Sequence, residues 1–239
     1  MFDVRSNEPE LMDDPAFDEK SASQCYHYMS LVNAWAGGTR VVRRFIESMA
    51  MERQGLPLRI LDIGSGICDI PIAVCRRARR RGLRLQYTCV EPSTYAVRLA
   101  RERLAREGMT EVRLVQEDIF KHHPAEPYDC ATASMCFHHF TDRQIMALLR
   151  TLRQYVLDGV LINDLRRSAA ASLAAGLVSL PLSSAARHDG LLSIRRGFKA
   201  RELKELLEQV GDCTVSVENA PVFRIAAVVR FGRHDETRR

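Results

Sequence analysis

Two residue pairs carry the most chemistry in this 239-residue sequence. His138-His139 follows an apolar run, Tyr128 to Ser134, and His188-Asp189 falls in a later segment. Imidazole titrates near neutral pH, so histidine is the side chain best suited to take a proton from a hydroxyl nucleophile. Either histidine of the first pair could serve as that base, or the pair could shape its loop and hydrogen-bond locally. His188 or Asp189 is the second candidate, a group carried over a site by an intervening segment. His27, His122 and His123 give no signal above a surface or core histidine.

Carboxylates and glycines recur at regular places. Leu61-Asp62-Ile63-Gly64-Ser65-Gly66-Ile67-Cys68-Asp69-Ile70-Pro71 contains two glycines that permit a tight turn and close approach of backbone to a ligand. Glu91, roughly 25 residues further on, stands where an acid can accept hydrogen bonds from both ribose hydroxyls of a bound nucleoside, a logic that also serves nicotinamide cofactors. Asp118 beside Ile119 suits the exocyclic amine and ring face of adenine.

The elements that must position these residues alternate. Two helices come first, broken at Gly37-Gly38; the second presents Val42, Phe45, Ile46 and Met49 on one face and stops at Gly55. Strands are then expected at Arg59 to Ile63, Arg84 to Val90, Glu111 to Gln116, Tyr128 to Ser134 and Val156 to Asn163. Helices fall between them, from about Ile70 to Arg81, from Ser93 to Glu107, and after the capping box Thr141-x-x-Gln144. A helix at Lys199 to Val210 leads to strands Cys213 to Val217 and Phe223 to Phe231, pairing as a hairpin around Asn219-Ala220-Pro221. The pattern predicts an α/β fold, a seven-stranded mostly parallel sheet with helices on both faces, an N-terminal helical cap and a helical insertion after strand five. One domain is expected: residues 1–57 as cap, 58–165 and 199–231 as core, 166–198 as insertion. On such sheets ligands bind outside the carboxyl ends of the strands, where the glycine loop, Glu91, Asp118, Ser134 and His138-His139 fall.

The insertion begins with Ser168 to Leu180, nonpolar nearly all round, so it should be buried or cover something apolar. With the N-terminal helices it could form a lid, or it could serve ordinary packing or a homodimer interface. Tyr26, Tyr28 and Trp35 could line the pocket or fill the core. Asp164 and Arg166, after strand five, face the same edge and could bind substrate.

Composition bounds the rest. Net charge is +5 with a pI near 8.9. Much of the excess is the run Arg76, Arg77, Arg79, Arg80, Arg81 and Arg84, which lacks the interleaved aromatics of a nucleic-acid footprint and reads as a solvated helix face. The seven cysteines are odd in number and include no Cys-x-x-Cys, which speaks against a disulfide framework or a zinc site. No basic-then-apolar leader opens the sequence, and its longest apolar stretch, Ala169 to Leu182, is too short to span a bilayer. A cytoplasmic location is expected, the last residues, Arg233 to Arg239, are expected to fray, and no nucleic-acid partner is expected.

The chain resembles the class I, Rossmann-like S-adenosylmethionine-dependent methyltransferases. Leu61-Asp62-Ile63-Gly64-Ser65-Gly66 matches the family's first motif, Glu91 its ribose-binding acid and Asp118 its adenine-binding acid. The likeness spans Leu58 to Asp164 and resumes from Lys199 to Phe231. It implies S-adenosylmethionine as cofactor, S-adenosylhomocysteine as product, and a cofactor site of Asp62, Gly64, Ser65, Gly66, Asp69, Glu91, Pro92, Asp118, Ile119, Ser134 and His138. One departure stands out: the family's third glycine is Cys68 here, so its side chain must point away from the methionine part of the cofactor. A nicotinamide dehydrogenase would prefer a third glycine where Asp69 stands.

Flanking segments resemble a narrower group of bacterial small-molecule methyltransferases. They are Met12-Asp13-Asp14-Pro15, Asn33 with Gly37-Gly38, Asn163-Asp164-Leu165-Arg166-Arg167, and His188-Asp189-Gly190 with Ser193-Ile194-Arg195-Arg196. The resemblance implies a small, fairly apolar acceptor, polyketide- or quinone-like, methylated at a hydroxyl oxygen. Carbon methylation of a quinone-type ring and a non-catalytic cofactor-binding or interaction role are the alternatives. Ser134-Met135-Cys136-Phe137 lacks the Asn-or-Asp-Pro-Pro-aromatic motif of amino-methylases. Neither Cys130 nor Cys136 follows proline, as a cytosine C5 enzyme requires. Asp164 alone does not make the carboxylate cluster of a metal-assisted catechol enzyme, so no metal is expected.

Overall fold

The computed structural model describes residues 2–14, 17–53, 55–180 and 182–232. Pro15 of the Met12-Asp13-Asp14-Pro15 segment and the 233–239 tail lie outside them. Two N-terminal helices, α1 (Glu19–Trp35) and α2 (Gly38–Glu52), precede the sheet. The core runs β1 (Leu58–Ile63), α3 (Asp69–Arg80), β2 (Leu85–Glu91), α4 (Thr94–Glu107), β3 (Val112–Gln116), β4 (Tyr128–Ser134), α5 (Asp142–Leu152) and β5 (Val156–Leu165). The insertion holds α6 (Ala169–Val178) and α7 (Ser184–Arg196), and α8 (Ala200–Glu208), β6 (Cys213–Ala220) and β7 (Arg224–Phe231) close the chain.

The sheet order is β3-β2-β1-β4-β5-β7-β6, parallel except for β7, which runs antiparallel to both β5 and β6. Strand order reverses between β1 and β4, and at such a switch point the crevice for a ligand opens beyond the strands' carboxyl ends. Each sheet face carries its own apolar layer. Ile46 and Met49 of α2 and Ile72 and Cys75 of α3 pack on one side, while Ile145 and Leu149 of α5 and Leu203 and Leu207 of α8 pack on the other. Fully burying one such side chain contributes about 1.5–3 kcal/mol, enough in sum to fix the strand ends that carry the polar residues.

Three expectations are corrected. β5 continues two residues past Asn163, because Asp164 and Leu165 pair with Ile225 and Arg224 of β7. The hairpin turn lies at Pro221 to Phe223, with Val222 and Phe223 at positive φ, and not at Asn219 to Pro221. α6 is not buried: Ala171 is its sole buried residue, and Leu173, Leu177 and Val178 are exposed. Its small residues serve close packing on α7, where Gly176 sits near Leu191, so an apolar helix here faces water along one side.

Four arginines of the run are tied down by carboxylates. Arg77 and Arg81 pair with Glu47, Arg76 with Glu107 and Arg79 with Glu111. All seven cysteines are free thiols, five of them buried. No helix among the described residues is long and apolar enough to cross a membrane.

Candidate active site

The loop after β1 turns through Gly64 and Gly66, both at positive φ. A Cβ on Gly64 would lie 2.6 Å from the sulfur of Cys136, so only glycine fits there. Cys68 also adopts the left-handed conformation, φ 55°, as the N-cap of α3. Its side chain is fully buried in the core layer with Cys75 and Cys89, directed away from the crevice. It reproduces the glycine turn at the cost of a strained φ.

A crevice of about 750 Å³ opens along this loop and the ends of β1, β2 and β4. Of the cofactor residues expected from the sequence, Asp62, Gly64, Ser65, Gly66, Asp69, Glu91, Pro92, Ile119 and Ser134 line it. Glu91 accepts the N–H of Gly66 at 2.8 Å and of Ser93 at 3.0 Å. Burial raises its pKa, and those two N–H groups pull against the rise. Asp62 accepts the Thr132 hydroxyl at 2.6 Å, yet burial pushes its carboxyl up to about 7. Asp69, the first residue of α3, accepts from Asn33 of α1 at 3.0 Å and is likewise raised by burial. Tyr26 closes the crevice above Gly66 and stacks on Tyr95. The Ser65 hydroxyl is buried with no hydrogen-bond partner among the described residues, which leaves it free for a bound molecule.

Asp118 does not line the crevice. It is exposed, and its carboxylate caps the following 3-10 turn through the N–H of Phe120. His138 is also absent from the lining. It is buried, with Nδ1 2.6 Å from Asp164, its backbone N–H donating to the same carboxylate at 3.1 Å, and Nε2 3.5 Å from Glu10. Burial pulls its pKa down, but Asp164 and Glu10 outweigh burial and push it up to about 9. At neutral pH His138 is therefore an imidazolium between two carboxylates, with no lone pair to act as base. His139 does line the crevice; its Nδ1 is 3.3 Å from Asp13 and its Nε2 4.0 Å from Glu10. Glu10, His138 and His139 also bring three potential ligand atoms within 4.8 Å of one another. The sequence reading, which expected no metal, did not anticipate this cluster, because Glu10 lies far from the histidines in the chain.

Five other candidates fall elsewhere. Trp35 is 85% exposed and outside the crevice. Arg166 lies over the ring of Phe223, away from the crevice, where the lengthened β5 carries it. Asp164 serves His138 and does not reach the crevice. His188 is half-exposed on α7, and Asp189 is buried accepting the N–H groups of Leu11 and Met12 at 2.9 and 3.0 Å. Asp189 thus caps the 3-10 turn Leu11–Asp13.

That cap belongs to a clamp which sequence reading missed. Arg196 donates to the carbonyls of His138, His139 and Glu8, and Ser193 donates to Glu10 at 2.8 Å. Arg5 reaches Asp142 and the carbonyls of Phe140 and Arg196. The N-terminal strap, residues 2–14, is so held across α7 and the histidine loop, and Met12, Asp13 and Asp14 form one wall of the crevice. Two of the flanking segments noted in the sequence, Met12 to Asp14 and His188 to Arg196, therefore meet in space.

Residues 60–159 match the methyltransferase domain family. The plantazolicin methyltransferase BpumL, solved with a triazolic desmethylPZN analog and SAH, superposes with a TM-score of 0.70 at 18% identity, covering 93% of each chain. A putative O-methyltransferase from Nostoc punctiforme superposes at 0.63 and 16% identity, over 87% of this chain and 59% of that one. The citrinin polyketide synthase CMeT domain gives 0.55 at 16% identity, over 75% and 47%. No curated protein matches the chain. The match over residues 60–159 is to a methyltransferase domain, and the fold is that of the class I S-adenosylmethionine-dependent methyltransferases. The cofactor of that class is S-adenosylmethionine, with which the donors and the glycine cradle of the crevice are compatible.

Proposed function

We propose that the chain transfers a methyl group from S-adenosylmethionine to a hydroxyl oxygen of a small, fairly apolar acceptor, polyketide- or quinone-like. The observation that carries this reading is His139 lining the same crevice as the glycine loop, oriented by Asp13 and backed by Glu10. Glu91 would hold the ribose hydroxyls through its remaining lone pairs. Pro92 and Ile119 would flank the adenine. Asp62, Ser65, Asp69 and Ser134 would surround the methionine portion. When bound, the cofactor supplies an electrophilic methyl whose transfer leaves S-adenosylhomocysteine.

The chain's own residues then have to orient the acceptor and take its proton. Asp13 beside Nδ1 favours the tautomer in which His139 Nε2 carries the lone pair. Nε2 accepts the acceptor's hydroxyl proton, and Glu10 stabilises the resulting imidazolium. Met12, Phe17, Met29 and Phe140 give the crevice apolar walls that exclude water and suit an apolar acceptor. The plantazolicin enzyme's likeness supports a natural-product acceptor, and the domain named CMeT keeps methylation at carbon as the second reading.

Product formation on a panel of phenols, quinols and pyrones tests the proposal, with the methylated atom located by NMR. Methyl on oxygen supports it and methyl on carbon supports the second reading. Cofactor binding without product on any acceptor would point to a non-catalytic role.

A further inference from the structure

The guanidinium of Arg224, at the start of β7, is one of the most deeply buried groups in the protein, at 1% exposure. It has only two hydrogen-bond partners among the described residues: Nη2 donates to Asn33 Oδ1 at 2.8 Å and to the Met135 sulfur at 3.2 Å. Nε and Nη1 have none. No carboxylate among the described residues pairs with it; the nearby acids Asp164 and Asp69 are engaged by His138 and Asn33. The Oδ1 of Asn163, on the same sheet face, is unpartnered too. A buried cation without a counter-ion is costly, and arginine's planar fork matches a carboxylate in bidentate fashion.

Two further features point the same way. The guanidinium rests against the first turn of α2, about 3.0 Å from where a Gly38 Cβ would stand. That helix begins at Gly37 with no side-chain cap, so its positive end adds to the local field. The groups that separate Arg224 from the crevice, Asn33 and Met135, themselves line the crevice. Met135 is a flexible thioether and a weak acceptor, which a stronger acceptor can displace.

We propose that Arg224, Asn33 and the first turn of α2 form an anion subsite at the inner end of the crevice that takes a carboxylate, with Met135 as its movable cover. The inference rests on the methyltransferase reading for the source of that carboxylate, which is either the cofactor's own amino-acid end or the acceptor. Asp69, one asparagine away, would face the ammonium of an amino-acid group.

The test is calorimetry with S-adenosylhomocysteine and its decarboxylated aminopropyl counterpart on the wild type, Arg224→Lys and Arg224→Met. A bidentate charge-assisted pair predicts about a 10–100-fold preference for the carboxylate form in the wild type. Arg224→Met should abolish it and Arg224→Lys should reduce it. Arg224→Met should also melt at or above the wild-type temperature, since it removes an unpaired buried charge; should it fail to fold, Arg224→Lys carries the comparison. If both nucleosides bind equally, benzoate and benzamide titrated into the S-adenosylhomocysteine complex decide the acceptor source, and a benzoate preference lost in the variants supports the subsite. Discrimination within neither pair, or discrimination that survives in both variants, overturns the proposal. No binding of S-adenosylhomocysteine to the wild type counts instead against the cofactor reading, and the benzoate arm without nucleoside still decides Arg224.

Discussion

Asp164 takes both the ring Nδ1–H and the backbone N–H of His138, at 2.6 and 3.1 Å. The strand end and the histidine loop are so locked by one carboxylate. The pKa of His138, about 9, lies above its ordinary value of 6.5, so the folded chain keeps a proton that the unfolded chain releases in between. The resulting stabilisation is complete below pH 6.5 and is lost as pH rises through 9. Asp164→Asn should flatten that decline and cost about 3–5 kcal/mol at pH 6 by stranding a buried charge. Urea melts at pH 6, 7.5 and 9 measure both effects, and an unchanged slope would remove Asp164 as the cause.

Asp62 behaves in the opposite chemical sense. Its carboxyl is raised from 3.8 to about 7, so the folded state again holds the extra proton and stability falls as pH rises across that interval. Asp62→Asn should therefore raise the melting temperature of the ligand-free protein at pH 8. The same change should weaken binding of the cationic cofactor. A lower melting temperature at pH 8 would contradict the assignment.

Glu91→Ala should weaken S-adenosylhomocysteine binding by about 1–3 kcal/mol, the loss of charge-assisted hydrogen bonds. It also frees the N–H groups of Gly66 and Ser93, so thermal melts must accompany the calorimetry. Unchanged affinity in a folded variant would sink the ribose role.

His139→Ala should reduce turnover at least tenfold while leaving cofactor affinity within about twofold, since a general base contributes roughly 10²–10⁴ in rate. Turnover equal to wild type places the base elsewhere.

Asp189→Ala removes the cap on Leu11 and Met12. A lost cap costs about 0.5–2 kcal/mol, and the loss should fall on the strap. Hydrogen exchange should quicken at residues 2–14 before it does in the sheet. Uniform quickening would mean that the strap and core open as one unit.

The strand-end acids and the glycine loop were legible in the sequence because strand periodicity places them without any knowledge of distant partners. Glu91 and Gly66 are found this way. Asp164 was misplaced by one rule: its strand was ended at Asn163, and only pairing with Ile225 shows that it continues. Glu10, Arg196 and Arg224 were invisible because each acts on groups more than 50 residues away. His188-Asp189 looked chemical because the pairing is local, whereas Asp189 spends its lone pairs on backbone 177 or more residues away. The apolar α6 misled because nonpolar composition does not distinguish close packing of small residues on one side from burial on all sides.

The distribution of the thiols makes the molecule its own reporter of opening. Cys25 sits on α1, Cys68 and Cys75 at the two sides of the first turns of α3, Cys89 and Cys130 inside the sheet, and Cys136 beneath Gly64. Burial holds Cys25, Cys75, Cys89 and Cys130 above the ordinary thiol range, so an alkylating reagent reaches each only when its own element parts from the core. Mass spectrometry of a timed labelling pulse would then rank helix, loop and strand by the free energy of their separate openings, with no probe added to the chain.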